Sequence, residues 1–212
     1  MGSIERRQRE KEQRRQHILN AARKLLLKKG IAATSMNQIA RNAELSVGTL
    51  YLYFKNKEEL YATLQEEGLD MLYDKIQQSR LLGNTPEEKL KEMANAYRDF
   101  SIEHKNYFDI INYFLTSPEI VFSPGFKSRI DEHGNRIINL IEEVMRNKID
   151  PKIKSDMDVR RASLVYWSNL HGMLQFRKLQ NTILKDQNFE DLYLFSIKYI
   201  LKSLTEKPEN MS

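Results

Sequence analysis

Apolar residues along this chain recur at helical spacing, and no stretch shows the sustained alternation that a half-buried strand requires. The opening segment, with Arg6, Arg7, Arg9, Lys11, Arg14 and Arg15 among Glu5, Glu10 and Glu12, is polar all round and is expected to fray before it becomes helix. Ile18, Leu19, Ala22, Leu25 and Leu26 then supply an apolar face, closed by Gly30. A second helix starts at Ser35, where Gln38 completes a capping box; it turns Ile39, Ala40 and Ala43 inward and Asn37, Gln38, Arg41 and Asn42 outward. Glu44-Leu45 makes a turn, with Leu45 facing in. Ser46 caps a third helix, Val47 to Tyr53, that buries Leu50 and Phe54 and presents Val47, Gly48, Thr49 and Tyr51.

Asn56 and Glu59 form another capping box, opening a long helix from Lys57 to about Leu82. Gly83-Asn84 breaks it, and Thr85-Pro86-Glu87-Glu88 begins the next, to about His104. Asn106 starts an aromatic helix that reaches Leu115, before Pro118. Ser123-Pro124 opens one to about Lys148, before Asp150-Pro151. Asp156 or Asp158 caps a helix through about Leu179, and Asn188 with Asp191 caps the last, to about Leu204. About nine helices predict an all-α fold. Residues 1–60 are expected to form a helix-turn-helix domain, 61–204 a second, helical domain, whose regulatory and dimerisation roles are what the family resemblance described below implies, and 205–212 a flexible tail.

Two short helices joined by a tight turn and followed by hydroxyls, tyrosines and lysines suit a DNA duplex. Gly48 lets the third helix approach the groove floor closely, and a helix N-terminus beside Lys57 suits a phosphate. Charge agrees with this. Residues 1–60 hold 13 Lys and Arg against 6 Asp and Glu, a balance of +7, whereas residues 61–212 balance at −2. The basic opening segment reads equally as a phosphate or minor-groove contact and as a solvated end laced with ion pairs.

Ile39-Ala40, the run Leu45-Ser46-Val47-Gly48-Thr49-Leu50-Tyr51-Leu52-Tyr53-Phe54, Lys57-Glu58 and Leu60 resemble the tetracycline-repressor (TetR) family over roughly the first sixty residues. Glu44 departs from the pattern, since family members usually carry glycine there, and a left-handed backbone at a non-glycine residue costs on the order of 1 kcal/mol. The resemblance implies three helices for DNA and six for a regulatory core whose last two pair with their copies in a homodimer. By motif position, Asn37 and Thr49 take part in base contacts and Val47 and Gly48 approach bases. Ser35, Tyr51, Tyr53 and Lys57 hold phosphates, and Gln38, Ser46 and Lys55 complete the DNA-facing set.

The segment Tyr166 to Leu174 is similar to a pattern in some TetR regulatory domains, and Leu164, Trp167, Leu170, His171, Leu174 and Phe195 are candidates for the dimer interface; the alternative keeps them in the monomer core. A regulator needs a signal, and Tyr97, Phe100, His104, Tyr107, Phe108, Ile111, Phe114, Phe122, Phe126 and Ile130 offer aromatic and apolar surface for a small-molecule effector. The same residues at helical spacing also serve as core.

The chain has no cysteine, so disulfides and thiolate sites are excluded and a reducing cytoplasm fits. No apolar run approaches a membrane span, nor does the N-terminus resemble a signal peptide. His17, His104, His133 and His171 are scattered, so no metal is expected, and neither a cofactor nor a catalytic constellation is predicted. The expected protein is a homodimeric, ligand-responsive repressor on a palindromic operator rather than an enzyme. The competing readings are an activator or global regulator without small-molecule control, and a helical adaptor that binds DNA non-specifically.

Overall fold

The computed structural model describes residues 2–116, 123–147 and 156–205, and among them every regular element is helical. Pro118, Phe122, Asp150-Pro151 and the tail beyond Thr205 lie outside the described residues. The nine α-helices are α1 (Ser3–Lys29), α2 (Met36–Asn42), α3 (Val47–Tyr51), α4 (Lys57–Ser79), α5 (Pro86–Glu103), α6 (Lys105–Thr116), α7 (Pro124–Arg146), α8 (Asp156–Phe176) and α9 (Phe189–Thr205). They form two compact units. The first takes residues 1–70 and 104–132, so that α6 and the start of α7 group with α1 to α3; the second takes residues 71–103 and 133–212.

In the first unit, Ile18, Leu19, Ala22, Leu26, Ile39, Ala40, Leu50, Phe54, Leu60 and Leu64 form a continuous core, joined by Ile110 of α6. Fraying is not what α1 shows, for it is helical from Ser3. Its Arg, Glu, Gln and Lys residues are good helix formers, the Gly2 amide donates to Glu5, and Arg6 pairs with Glu10 one turn on. Arg15 anchors the start of the packed portion, bridging to Glu67 at 3.3 Å with its guanidinium 5.5 Å from the Phe54 ring centre.

The α2–α3 turn closes as a Schellman motif: Leu45 N–H donates to Ala40 C=O at 2.9 Å, and Glu44 N–H donates to Arg41 C=O at 3.1 Å. That geometry needs a left-handed residue between them, and Glu44 takes it with φ 52°. Glu44→Gly removes the strain and is expected to raise stability by about 1 kcal/mol in urea unfolding, leaving operator affinity within twofold.

Three tyrosines organise the second unit. Tyr166 of α8 donates to Leu90 C=O, and Tyr193 of α9 donates to Ala94 C=O at 2.8 Å, fastening both helices to α5. Tyr97 of α5 stacks on Trp167, with ring centres 4.4 Å apart, and its hydroxyl lies 2.8 Å from His171 Nδ1. Burial drives the pKa of all three phenols upward. At the start of α5, Thr85 and Glu88 form the expected capping box, and the Asn84 and Thr85 amides hold the Glu88 carboxyl below its ordinary range.

Burial, followed by Lys178, lowers the His171 pKa and favours a neutral imidazole. Since this folded value lies below that of the unfolded chain, about 6.5, the unfolded state takes up the proton first on acidification. Stability should therefore fall from about pH 6.5 downward until the folded pKa is passed. Melting curves between about pH 7.5 and 5 should show a shallower decline in His171→Gln than in the wild type.

Candidate nucleic-acid interface

Ser35 opens α2 with a reciprocal cap: its hydroxyl accepts the Gln38 amide at 3.3 Å, while Gln38 Oε1 accepts Ser35 N–H at 3.0 Å. Ser46 opens α3 by accepting Thr49 N–H at 3.0 Å, and the two hydroxyls lie 2.8 Å apart. Thr49 is therefore preoriented by its own cap. The helix ends at Tyr51, two residues short of the expected end, and places Tyr53 half-buried rather than on its outer face. Asn37, Ser46, Gly48, Tyr51 and Lys55 are exposed, and Gln38, Val47 and Thr49 partly so. An alanine Cβ at Gly48 would meet only Ser46 Oγ, at 3.9 Å, so the fold makes no demand for glycine there.

Lys57 departs from its expected role. Its ammonium donates to Ile31 C=O at 2.9 Å and Thr34 C=O at 3.0 Å, tying the turn that leads into α2 instead of projecting toward a phosphate. Tyr113 of α6 holds the same turn, its hydroxyl accepting Ile31 N–H at 2.9 Å. Gly30 precedes it at φ 78°, and a Cβ there would lie 3.1 Å from that hydroxyl. The expected capping box after α3 also shifts: Asn56 accepts Glu59 N–H, but the Glu59 carboxylate accepts the Lys55 amide.

Two surface features were not anticipated from the sequence. Leu52, between the two tyrosines, is 81% exposed, although an apolar residue beside a core helix reads as buried. His17, Asn20, Lys24, Lys28, Lys29 and Asn42 line a basic cavity of about 480 Å³ along α1. A clue to it was available in the Lys24, Lys28 and Lys29 spacing on one side of α1.

The expected effector residues divide between the units. Tyr97 and Phe100 are buried in the second unit, where Tyr97 is fixed by Trp167 and His171. In the first unit Phe108 and Ile111 are buried, while His104, Tyr107, Phe114, Phe126 and Ile130 are half-buried. Tyr107 donates to Glu67 and lies under the Arg23 guanidinium, and Phe114 packs against Tyr61 and Tyr113. Tyr97, Tyr107 and Phe114 thus do packing work.

Of the expected dimer residues, Leu164 and Phe195 are 43% and 63% exposed. Leu170 and Leu174 are corrections, because at 1% and 2% exposure they belong to the subunit's own core and have no surface left to offer a copy. Trp167 and His171 are half-buried and engaged with Tyr97. No helix among the described residues is long and apolar enough to cross a membrane, and no group of metal-ligating side chains occurs among them.

Residues 18–64 match the family model described as bacterial regulatory proteins, tetR family, and residues 90–193 match that of the tetracyclin repressor-like C-terminal domain. An uncharacterized HTH-type transcriptional regulator of Bacillus subtilis, YerO, is 32% identical over 102 residues, a match covering 47% of this chain and 35% of YerO. The fatty acid metabolism regulator protein of the same species is 26% identical over 152 residues, covering 68% of this chain and 73% of that protein. The crystal structure of the transcriptional regulator FadR from Bacillus subtilis in complex with stearoyl-CoA superposes with a TM-score of 0.69 at 19% identity, covering 90% of this chain and 97% of the other. With both of its characteristic parts matched and the helix-turn-helix in place, the chain belongs to the TetR family of transcriptional regulators.

Proposed function

We propose that this regulator is a homodimeric repressor that sets α3 of each subunit in successive major grooves of a palindromic operator and leaves it when a small, largely apolar effector binds. The observation that carries the reading is the Ser46-capped α3, whose Val47, Gly48 and Thr49 stand at its start beside an exposed Tyr51. Thr49 and Asn37 read base edges, Val47 and Gly48 lie against the bases, and Ser35, Tyr51 and Lys55 meet phosphates. Lys57 positions Ser35 through the turn carbonyls.

A second copy has an apolar face to cover. Leu164, Val165 and Phe176 on α8 and Leu194, Phe195 and Tyr199 on α9 are exposed, and a Cβ at Gly172 would meet nothing within 4 Å. For the effector, support comes from the relatives: FadR was solved with stearoyl-CoA, and the fatty acid metabolism regulator shares its extent with most of this chain. The effector acts by binding more tightly to the dimer arrangement whose two α3 helices miss the groove spacing.

Gel shifts with the DNA flanking its own gene, in the presence of excess non-specific competitor, test the reading. Competitor-resistant binding by a sedimenting dimer supports it; binding lost to competitor would leave a non-specific adaptor. Lys55→Ala should weaken every sequence alike and flatten the salt dependence by about one unit, while Thr49→Ala should change preference among operator variants.

A further inference from the structure

Four side chains of the first unit are buried and carry polar atoms without a hydrogen-bond partner, the hydroxyl of Tyr61 on α4 among them. Asn112 of α6 is 5% exposed, with both Oδ1 and Nδ2 unbonded. Gln65 of α4 is 3% exposed with Oε1 unbonded. Beside it, Glu66 places one carboxylate oxygen 2.7 Å from Arg129 and leaves the other, Oε1, unbonded. Folded chains rarely leave a buried amide without any partner, because burial removes its water and returns nothing. Gln65 falls one turn from both Tyr61 and Gly68, the α4 positions that pack against Phe114, Tyr107 and Ile111 of α6. Leu64 and Leu69 of α4 and Phe108 and Ile111 of α6 are buried as well.

The chemistry of these atoms restricts what completes them. Gln65 Oε1 and Asn112 Oδ1 need donors, and Asn112 Nδ2 needs an acceptor. An uncharged head with N–H or O–H and an acceptor oxygen supplies both. A carboxylate supplies no donor, and Arg129, the cation beside this cluster, is already paired with Glu66.

The residue after Asn112 connects this region to the DNA-facing turn. Tyr113 accepts Ile31 N–H, and Lys57, two turns before Gln65 on α4, donates to Ile31 and Thr34 C=O. Thr34 leads directly into the Ser35 cap of α2. The two helices that hold the unpaired amides are thus the two that grip this turn.

We propose that Asn112 and Gln65 recognise an apolar molecule with an uncharged amide or hydroxyl head, and that α6 passes its binding to the α1–α2 turn through Tyr113. The proposal rests on the effector-controlled repressor reading above and adds the ligand's chemistry and its route to DNA.

The test uses the full chain with decanamide, decanol and decanoate as probes. Operator binding without any probe is measured first: its absence would sink the repressor reading and this proposal with it, whereas intact binding with no response to any probe sinks this proposal alone. Decanamide or decanol should raise the wild-type melting temperature and release the operator, and decanoate should do neither. Asn112→Leu removes unpaired polar atoms, so without probe it should melt about 2–4 °C higher and lose the probe response. Gln65→Leu is the second variant, with the same expected loss of response. An Asn112→Leu protein that melts lower than wild type, an unchanged probe shift in both variants, or a decanoate response equal to that of decanamide would overturn the assignment. In Tyr113→Phe the decanamide melting shift should persist while release needs at least about tenfold more probe; release at the wild-type concentration would overturn the route through Tyr113.

Discussion

Gly83→Ala is expected to lower unfolding stability by about 3 kcal/mol, an effect seldom reached by adding one methyl group. Gly83 sits in the turn between α4 and α5, where an alanine Cβ would come within 2.5 Å of Lys89 N, 2.7 Å of Glu88 C and 2.9 Å of Lys89 Cα. All three atoms are backbone of the first turn of α5, so no side chain can rotate away. Relief requires moving that turn, which carries the Thr85 and Glu88 capping box and leads to Leu90 and Ala94, the acceptors of Tyr166 and Tyr193. Gly134→Ala is the control. It lies inside α7 with no atom within 4 Å of a Cβ, and it should gain about 0.5–1 kcal/mol from helix propensity. Urea unfolding of both variants checks the contrast, and a Gly83→Ala midpoint equal to wild type would show that the turn has slack.

What could be read from the sequence was local. Ser35 with Gln38, Ser46 before α3 and Thr85 with Glu88 act through amides three residues away, so their spacing is their geometry. Glu44 was legible for the same reason, as a turn position that needs a left-handed residue whatever occupies it. Tertiary contacts were not legible. Nothing near Lys57 in the chain indicates that Ile31 and Thr34 carbonyls will take its ammonium, and Tyr113 reaches Ile31 across 82 residues. The leucines of α8 show the limit of periodicity. Leu164, Leu170 and Leu174 all lie in an apolar stretch, but only the last two face their own core, because a helix with two apolar sides does not say which one has a neighbour. Tyr97 is similar: its stacking on Trp167 depends on a helix seventy residues on.

Gly48→Leu should weaken operator binding by about 10- to 100-fold, on the order of the 1–3 kcal/mol that one spoiled base-pair contact costs, without weakening the fold. Gly48 is the second residue of α3 and is exposed, and the lone atom within 4 Å of an added Cβ is Ser46 Oγ at 3.9 Å. Leucine also favours helix over glycine, so the free protein should melt no lower than wild type. Any loss of binding must then arise outside the subunit, where the side chain meets the groove floor. A graded series makes the inference sharper: Gly48→Ala should lose less than Gly48→Leu, and both should lose more on operator than on non-specific duplex if α3 lies deep in the groove only at its own site. Gel-shift titrations at fixed salt, paired with melting curves on the same preparations, separate the two effects. Wild-type affinity in Gly48→Leu would exclude the start of α3 from the groove, and with it the placement of Val47 and Thr49 against base edges.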